Sequence, residues 1–373
     1  MKPEIRPGMQ SLLDLLHGDA CIRDVSEQEW MRVLDLAEQE NVLPWTVASL
    51  RSLFHDSMPK LADRLHAIHR NARISTFLWT ASLRSTLADF HRRGIPVISL
   101  KGPWLAERLY GDASLRSCCD LDLLVHRSDI AVAADLLTDL GFLPSGRPDD
   151  YARPFHRGSI SVELHHDVEN PLAFNFDVEA AWSRARYAEF QGVPARLLAP
   201  ADELLFLCLH GTRHRFERMS HILDLVFAFR NLPLPQTAPR SRHASESGNI
   251  LALSAMMANR LDPRLQIPDC LCDRLENRQS LHQLADQLWQ ERMLQPAAVL
   301  DWRAKHDFYL AIETRRWNRL LRHIRHARIL LTRLIDADFA FAQRFNLTRS
   351  WQVWLLRPLR LLLSAVRTLP TSP

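Results

Sequence analysis

"LKGPWLAERLYGDASLRSCCDLDLLV" runs from Leu100 to Val125, and its last six residues decide how the rest of the chain is read. Asp120 and Asp122 alternate with Leu121 and Leu123, and Leu124 and Val125 follow directly. Side chains alternate across a strand, so the two aspartates are expected on one face and the two leucines on the other. Two carboxylates held this close repel, and one would ordinarily protonate. A divalent cation removes the conflict, because carboxylate pairs joined by substrate phosphates are the oxygen set that Mg²⁺ prefers. The competing reading is a strand with one wet face, or a cluster of structural ion pairs, which produces the same spacing.

Upstream, "IPVISL" reads as a short strand and "PWLAERLY" as a helix that starts at Pro103. Free N–H groups at a helix start, with the helix dipole behind them, attract anions. Lys101 adds charge there, and Gly102 lets backbone approach a phosphate closely. Downstream, "SDIAVAADLLTDLGF" reads as a helix with Ser128 as N-cap and Gly141 at its end. "SISVELHHDV" is a second alternating strand, and it carries a third carboxylate, Glu163. If that strand pairs beside the first, Glu163 enters the same site.

Helical periodicity covers most of what lies outside this block. Residues 8–55 read as short helices, and a long helix opens at Pro59 and ends at Gly94. "PADELLFLCLHGTRHRF" and "MSHILDLVFAFRN" follow the block as helices. Residues 232–249 are rich in Pro and Ser and read as a mobile linker, after which helices continue to the end. The expected architecture is α+β, with a helical region over 1–94, an α/β core over 95–200 and a helical region over 201–373.

The motifs "LKGPWLAERLY", "LRSCCDLDLLV", "LLTDLGF", "VELHHDV" and "DELLFLCLHGTRHRF…ILDL" occur in that order, and together they carry a resemblance. The chain resembles the uncharacterised bacterial nucleotidyltransferase family (NTP_transf_5) of the DNA polymerase β-like superfamily, over roughly residues 80–230. The resemblance implies a minimal nucleotidyltransferase-like mixed β-sheet with large helical N- and C-terminal extensions. It further implies that Asp120 and Asp122 hold Mg²⁺ (or Mn²⁺) against a nucleoside triphosphate. Glu163 would complete the metal site and help deprotonate the acceptor, and pyrophosphate would leave. The superfamily's usual Gly-Ser or Gly-Gly is replaced here by Lys101-Gly102, which removes a hydroxyl that often touches phosphate.

Other residues divide between functional and packing roles. Arg116 is placed either to neutralise phosphate or to pair with one of the two aspartates. His165 shares the expected face of Glu163 and is a candidate contact to metal or phosphate, while His166 points away. His210 and His214 stand four apart on a helix and share a face, either lining the nucleotide or acceptor cleft or packing together. Asp224, on the next helix, is placed to orient one of these imidazoles. Cys118 and Cys119 have no second pair with which to form a zinc site.

The 373 residues are 47% hydrophobic and 24% charged, with a net charge of +4. This describes an ordinary folded chain with a mild preference for anionic ligands. The six cysteines and the absence of a signal peptide point to reduced thiols in a cytoplasm. No run of about 18 apolar residues predicts a spanning helix. The C-terminal "WQVWLLRPLRLLLSAVRTLP" reads as a helix interrupted at Pro358, docked on the protein or in peripheral contact with a membrane. The expected acceptor is a small molecule, peptide or protein. The mild charge and the lack of a basic–aromatic stacking motif argue against nucleic acid. Two rival functions are a catalytically silent nucleotide-binding regulator and a metal-dependent phosphohydrolase.

Overall fold

The computed structural model describes residues 5–18, 25–53, 58–145, 151–168, 174, 176–233, 244–267, 278–295, 302–313, 319–324, 336–347 and 349–366. Cys21, Cys270, Cys272, residues 234–243 of the Pro- and Ser-rich segment and residues 325–335 lie outside the described residues. Two compact units are present, Met1–Thr314 and Arg315–Pro373.

The first unit is built on a seven-stranded mixed sheet, flanked by helices on both faces. Three short helices, α1 (Met9–His17), α2 (Glu27–Gln39) and α3 (Leu43–Leu53), precede the 34-residue α4 (Pro59–Arg92). Pro59 sits in the first turn of α4, where its missing N–H costs nothing. The sheet follows: β1 (Ile98–Ser99), α5 (Pro103–Tyr110), β2 (Leu121–Leu124), α6 (Ile130–Asp139), β3 (Leu143–Pro144), β4 (Ala152–Arg157), β5 (Ile160–His165), α7 (Val178–Arg184), β6 (Arg186–Phe190) and β7 (Val193–Leu197). The strand order is β3-β4-β5-β2-β1-β7-β6. β2 pairs parallel with β5 and antiparallel with β1, so the strand carrying Asp122 is central.

Four of these strands are not among those read from the sequence. β3 and β4 pair antiparallel at one edge, and β6 and β7 form a hairpin at the other. Pro154 inside β4 and Pro194 inside β7 hide the strand pattern, since proline removes a ladder donor. Two further expectations are corrected. Ser128 does not cap α6; its hydroxyl donates to Asp129 Oδ1 at 3.0 Å, within a 3-10 turn that precedes the helix. The helix α10 (Ala244–Leu261) begins inside the expected linker, and its Asn249 is buried, donating to the Ile312 carbonyl at 2.9 Å.

Alternation on the central strands separates two cores. Leu121 and Leu123 of β2, with Val162 and Leu164 of β5, pack with Leu83, Leu87 and Phe90 of α4 and Leu136 and Leu137 of α6. Leu124 belongs to the other core, which unites α1–α3 with α8 (Pro200–Arg213), α9 (Met219–Asn231), α10, α11 (Arg278–Leu294) and α12 (Trp302–Ile312). The N-terminal helices and the helices that follow the sheet therefore share one hydrophobic interior, despite the distance between them in sequence.

Two local devices fix the helical layer. Glu40, 2% exposed, accepts from the Met219 N–H at 2.9 Å with its side chain and from the Ser220 N–H at 3.1 Å with its carbonyl. A residue at the end of α2 thus satisfies two orphan donors at the start of α9, and Arg6 neutralises its charge. Between α8 and α9, Arg215 (φ 49°) and Phe216 (φ 51°) both adopt the left-handed conformation. Such residues cost roughly 1–3 kcal/mol each and persist only where their surroundings hold them. Phe216 is fully buried, with its ring against Gly211, where a Cβ would stand 2.8 Å from Cε1.

The second unit contains α13 (Asp336–Gln343) and α14 (Ser350–Val366). α14 continues through Pro358 instead of breaking there, and Arg360 donates to Asp338 of α13 at 2.6 Å. Among the described residues, no helix is long and apolar enough to cross a membrane.

Two outcomes follow for stability. A chain ending at residue 240 loses Leu251, Leu253, Met257 and Leu261 from the shared core, and is expected to lose cooperative thermal unfolding, whereas a chain ending at Thr314 keeps it. Circular dichroism melts of the two truncations decide this. Gly211→Ala, which overpacks against Phe216, is expected to destabilise by about 1–3 kcal/mol in denaturant titration; an unchanged midpoint would show that the turn can yield.

Candidate active site

Parallel pairing of β2 with β5 sets Asp122 directly beside Glu163, and Leu124 beside His165. Because side chains alternate, Asp122, Glu163 and His165 emerge on the face opposite Leu121, Leu123, Val162 and Leu164. That face looks toward the helical layer. Asp122 is 1% exposed, whereas the Glu163 side chain is 39% exposed, so the pair runs from the interior to the surface. One ligand atom from each of Asp122, Glu163 and His165 falls within 4.8 Å of the other two.

His165 Nε2 lies 3.0 Å from Asp122 Oδ1 and 3.4 Å from Glu163 Oε2, and its Nδ1 lies 3.3 Å from the Asp167 carbonyl. Both ring nitrogens face acceptors, and only the doubly protonated ring can donate to both sides. Burial alone would depress the imidazole pKa, but the two carboxylates outweigh it and push it up to about 9. Lys101 Nζ stands 3.2 Å from Asp122 Oδ2. Burial opposes ionisation of Asp122, yet Lys101 and His165 hold its pKa well below the usual carboxylate range. Oδ2 is buried and, apart from the Lys101 ammonium, lacks a hydrogen bond of good geometry.

Asp120 precedes the first paired residue of β2 and is only partly buried. It is not one of the three converging groups. The Asp122 charge and partial burial raise its pKa to about 6, against the opposing pull of Lys101. Gly102 (φ 83°) is the turn into α5, and a Cβ there would meet Leu121 Cδ2 at 3.3 Å and the Asp120 carbonyl at 3.8 Å. The glycine thus admits the Asp120 backbone beside the helix start. Cys118 Sγ contacts the same carbonyl at 3.2 Å, and burial pushes this thiol up to about 12, so it stays protonated.

The remaining candidates separate into two groups. Arg116 does not pair with Asp120 or Asp122. Its guanidinium forks onto Asp224 of α9 at 2.9 and 3.0 Å, and Tyr110 donates to the same carboxylate at 2.6 Å. Asp224 therefore ties the loop before β2 to the helical layer; the expectation that it orients an imidazole gives way to a pair of stronger donors. His210 and His214 do share a face, with ring centroids 4.8 Å apart. They are joined by His221 from α9, which sequence reasoning missed because the tight turn at 215–216 leaves no periodic signal. Phe206 links this wall to the carboxylates: its ring lies 6.4 Å from that of His210 and 5.8 Å from Lys101 Nζ. Tyr151 is a second omission. Its ring stands 5.9 Å from that of His165, with the Arg213 guanidinium 5.4 Å away over its face.

The donor set fits a hard divalent cation. Two carboxylates side by side, one with a buried oxygen held by the Lys101 ammonium alone, supply the oxygen ligands such an ion prefers. Lys101 and His165 supply the balancing positive charge within the protein itself. A cation bound to Asp122 and Glu163 competes with both.

No curated protein sequence matches the chain. ANT(2″)-Ia in complex with adenylyl-2″-tobramycin is 16% identical, with a TM-score of 0.35, over 47% of this chain and 96% of that one. An antigenic nucleotidyltransferase-like protein from Paracoccidioides brasiliensis is 17% identical, with a TM-score of 0.35, over 53% of this chain and 94% of that one. The family model for uncharacterised nucleotidyltransferases matches residues 26–261, which is more than half of the chain and takes in Lys101, Asp122, Glu163 and His165. The chain belongs to that family and is a nucleotidyltransferase.

Proposed function

We propose that the chain moves a nucleotide from a nucleoside triphosphate to a small-molecule, peptide or protein acceptor, with release of pyrophosphate and in dependence on Mg²⁺ or Mn²⁺. The observation that carries this reading is the register of β2 with β5. It places buried Asp122 beside half-exposed Glu163, with an oxygen of the former held by the Lys101 ammonium alone.

Asp122 and Glu163 would hold the cation, with Asp120 beside them at the mouth. When bound, such an ion neutralises phosphate charge and polarises the reacting phosphoryl group. Lys101 sits at the start of α5, where its ammonium can follow charge from Asp122 to an incoming phosphate. Glu163 is the carboxylate most open to the cleft, and it is suited to accept the proton of an acceptor hydroxyl or amine. His165 holds Asp122 and Glu163 together, its Nε2–H donating to Asp122 Oδ1 and standing 3.4 Å from Glu163 Oε2, and its Nδ1 contact to the Asp167 carbonyl fixes the ring. The free thiols at Cys118, Cys119 and Cys208 accord with a reducing, cytoplasmic setting.

Asp122→Asn tests the reading. Removing this charge leaves Lys101 and His165 near one another without their shared counter-ion, so the variant is expected to lose about 3 kcal/mol of stability. Pyrophosphate release is expected to fall by orders of magnitude, and a single-turnover assay at a temperature where the variant stays folded separates the two effects. Turnover at the wild-type rate would sink the metal-site reading. Glu163→Gln is expected to spare triphosphate binding more than turnover.

Cation affinity carries a signed pH dependence. Asp120, raised to about 6, is protonated below that pH in the metal-free chain, and a cation must displace the proton. Mn²⁺ affinity, read by electron paramagnetic resonance, is expected to weaken as pH falls through about 6, by up to about tenfold per unit. An Asp120→Asn chain is expected to lose this dependence and to bind the ion more weakly above pH 6.

A further inference from the structure

Past Phe206, whose ring lies between Lys101 and His210 in the chain of contacts, lies a group of side chains with no part in the chemistry above. His210 and His214 at the end of α8 meet His221 in the first turn of α9. The ring centroids lie 4.8, 5.3 and 5.0 Å apart, a near-equilateral triangle of imidazoles. Here Nδ1 of His221 is buried without a hydrogen-bond partner.

The charges around the triangle are mostly positive. Lys101, Arg213 and the other two imidazoles face His210. Lys101, Arg218, Arg116 and His214 face His221. Asp224 lies one turn further along α9, but Arg116 and Tyr110 occupy its carboxylate. Among the described residues one carboxylate bonds to the triangle: Glu217, whose Oε1 is 3.2 Å from His214 Nδ1 and which also faces Arg218 and Lys305. The triangle does not form a metal site as it stands. Among the described residues, ligand atoms converge only at Asp122, Glu163 and His165. What the position offers is unspent donor capacity in a positive field, beside the lysine that reaches the carboxylates.

We propose that His210, His214 and His221, together with Lys101, form a seat for the phosphates of the nucleotide donor, and that the imidazoles take up protons from solvent as the anion enters. The proposal rests on the nucleotidyl reading of the carboxylate site. Burial and the neighbouring cations keep His210 and His221 well below the ordinary imidazole pKa in the empty chain, so both start neutral. A polyanion reverses the field, and each imidazole then becomes a charged donor, roughly twice as strong as a neutral one. Lys101 is shared between the two halves of the cleft. When phosphate draws it away from Asp122, the carboxylate is released toward a cation.

The seat can be tested without metal and without turnover. The full chain, labelled at histidine, is titrated with inorganic pyrophosphate in excess chelator at about pH 7.5, and the imidazole Cε1–H resonances are followed. Resonances assigned to His210 and His221 through His210→Gln and His221→Gln are expected to move to the protonated position, with midpoints raised by about one unit or more. The double variant is expected to bind pyrophosphate at least about tenfold more weakly, and unchanged binding overturns the proposal. If the double variant does not fold, the wild-type titration still decides: resonances that stay neutral at saturating pyrophosphate overturn it. Competition fixes the source of the phosphate. Magnesium–nucleoside triphosphate is expected to displace pyrophosphate, and simultaneous binding overturns assignment to the donor. The nucleotidyl reading stands or falls separately, on label transfer by the wild-type chain.

Discussion

Asp122 is held ionised inside a sheet face by two cations, Lys101 from the turn before α5 and His165 from the neighbouring strand. An isolated carboxylate at 1% exposure would protonate. The pair of cations prevents this, and it also fixes where those elements must lie. β5 has to run beside β2 in a single register for His165 to reach Asp122, and Gly102 has to turn sharply for Lys101 to come back over it. A slip of one residue would put Glu163 and His165 into the apolar core beneath. The buried charge is therefore also the register pin of the sheet.

The second half of the cleft is built by helices and carries a different kind of constraint. The strained turn at Arg215 and Phe216 folds α9 back onto α8, and Phe216 locks it against Gly211. Arg116 and Asp224 then bolt α9 to the loop before β2. These features carry no catalytic chemistry, yet they bring His221 against His210 and His214. In the same network Arg116 forks onto the buried Asp224 carboxylate, the bidentate geometry that suits a guanidinium.

The carboxylate half was legible in the sequence because strands write their faces in alternation. Asp122, Glu163 and His165 follow from counting by twos, and α5, α6, α8 and α9 follow from apolar periodicity and prolines at helix starts. Strand alternation could not say that the ladder begins at Leu121, which leaves Asp120 outside the convergent group. It also missed β4 and β7, whose prolines suppress the strand signal. The partner of Arg116 lies 108 residues away, and His221 joins the other imidazoles only through two left-handed residues that are not glycine. Contacts of that kind are set by tertiary packing and leave no local trace.

The bond between Glu40 and the Met219 amide spans 179 residues. Closing so long a loop carries a large entropic cost and tends to come late in folding. As the chain leaves the ribosome, β2 and β5 can pair well before α9 exists, whereas the start of α9 finds its acceptor only by returning to a helix made near the beginning. The two halves of the cleft therefore mature at different times. A chain arrested before α9 would present carboxylates to the solvent with no helical wall across from them. Completion of this site is a kinetic event as well as a structural one, timed by long-range contacts and not by the residues that do its chemistry.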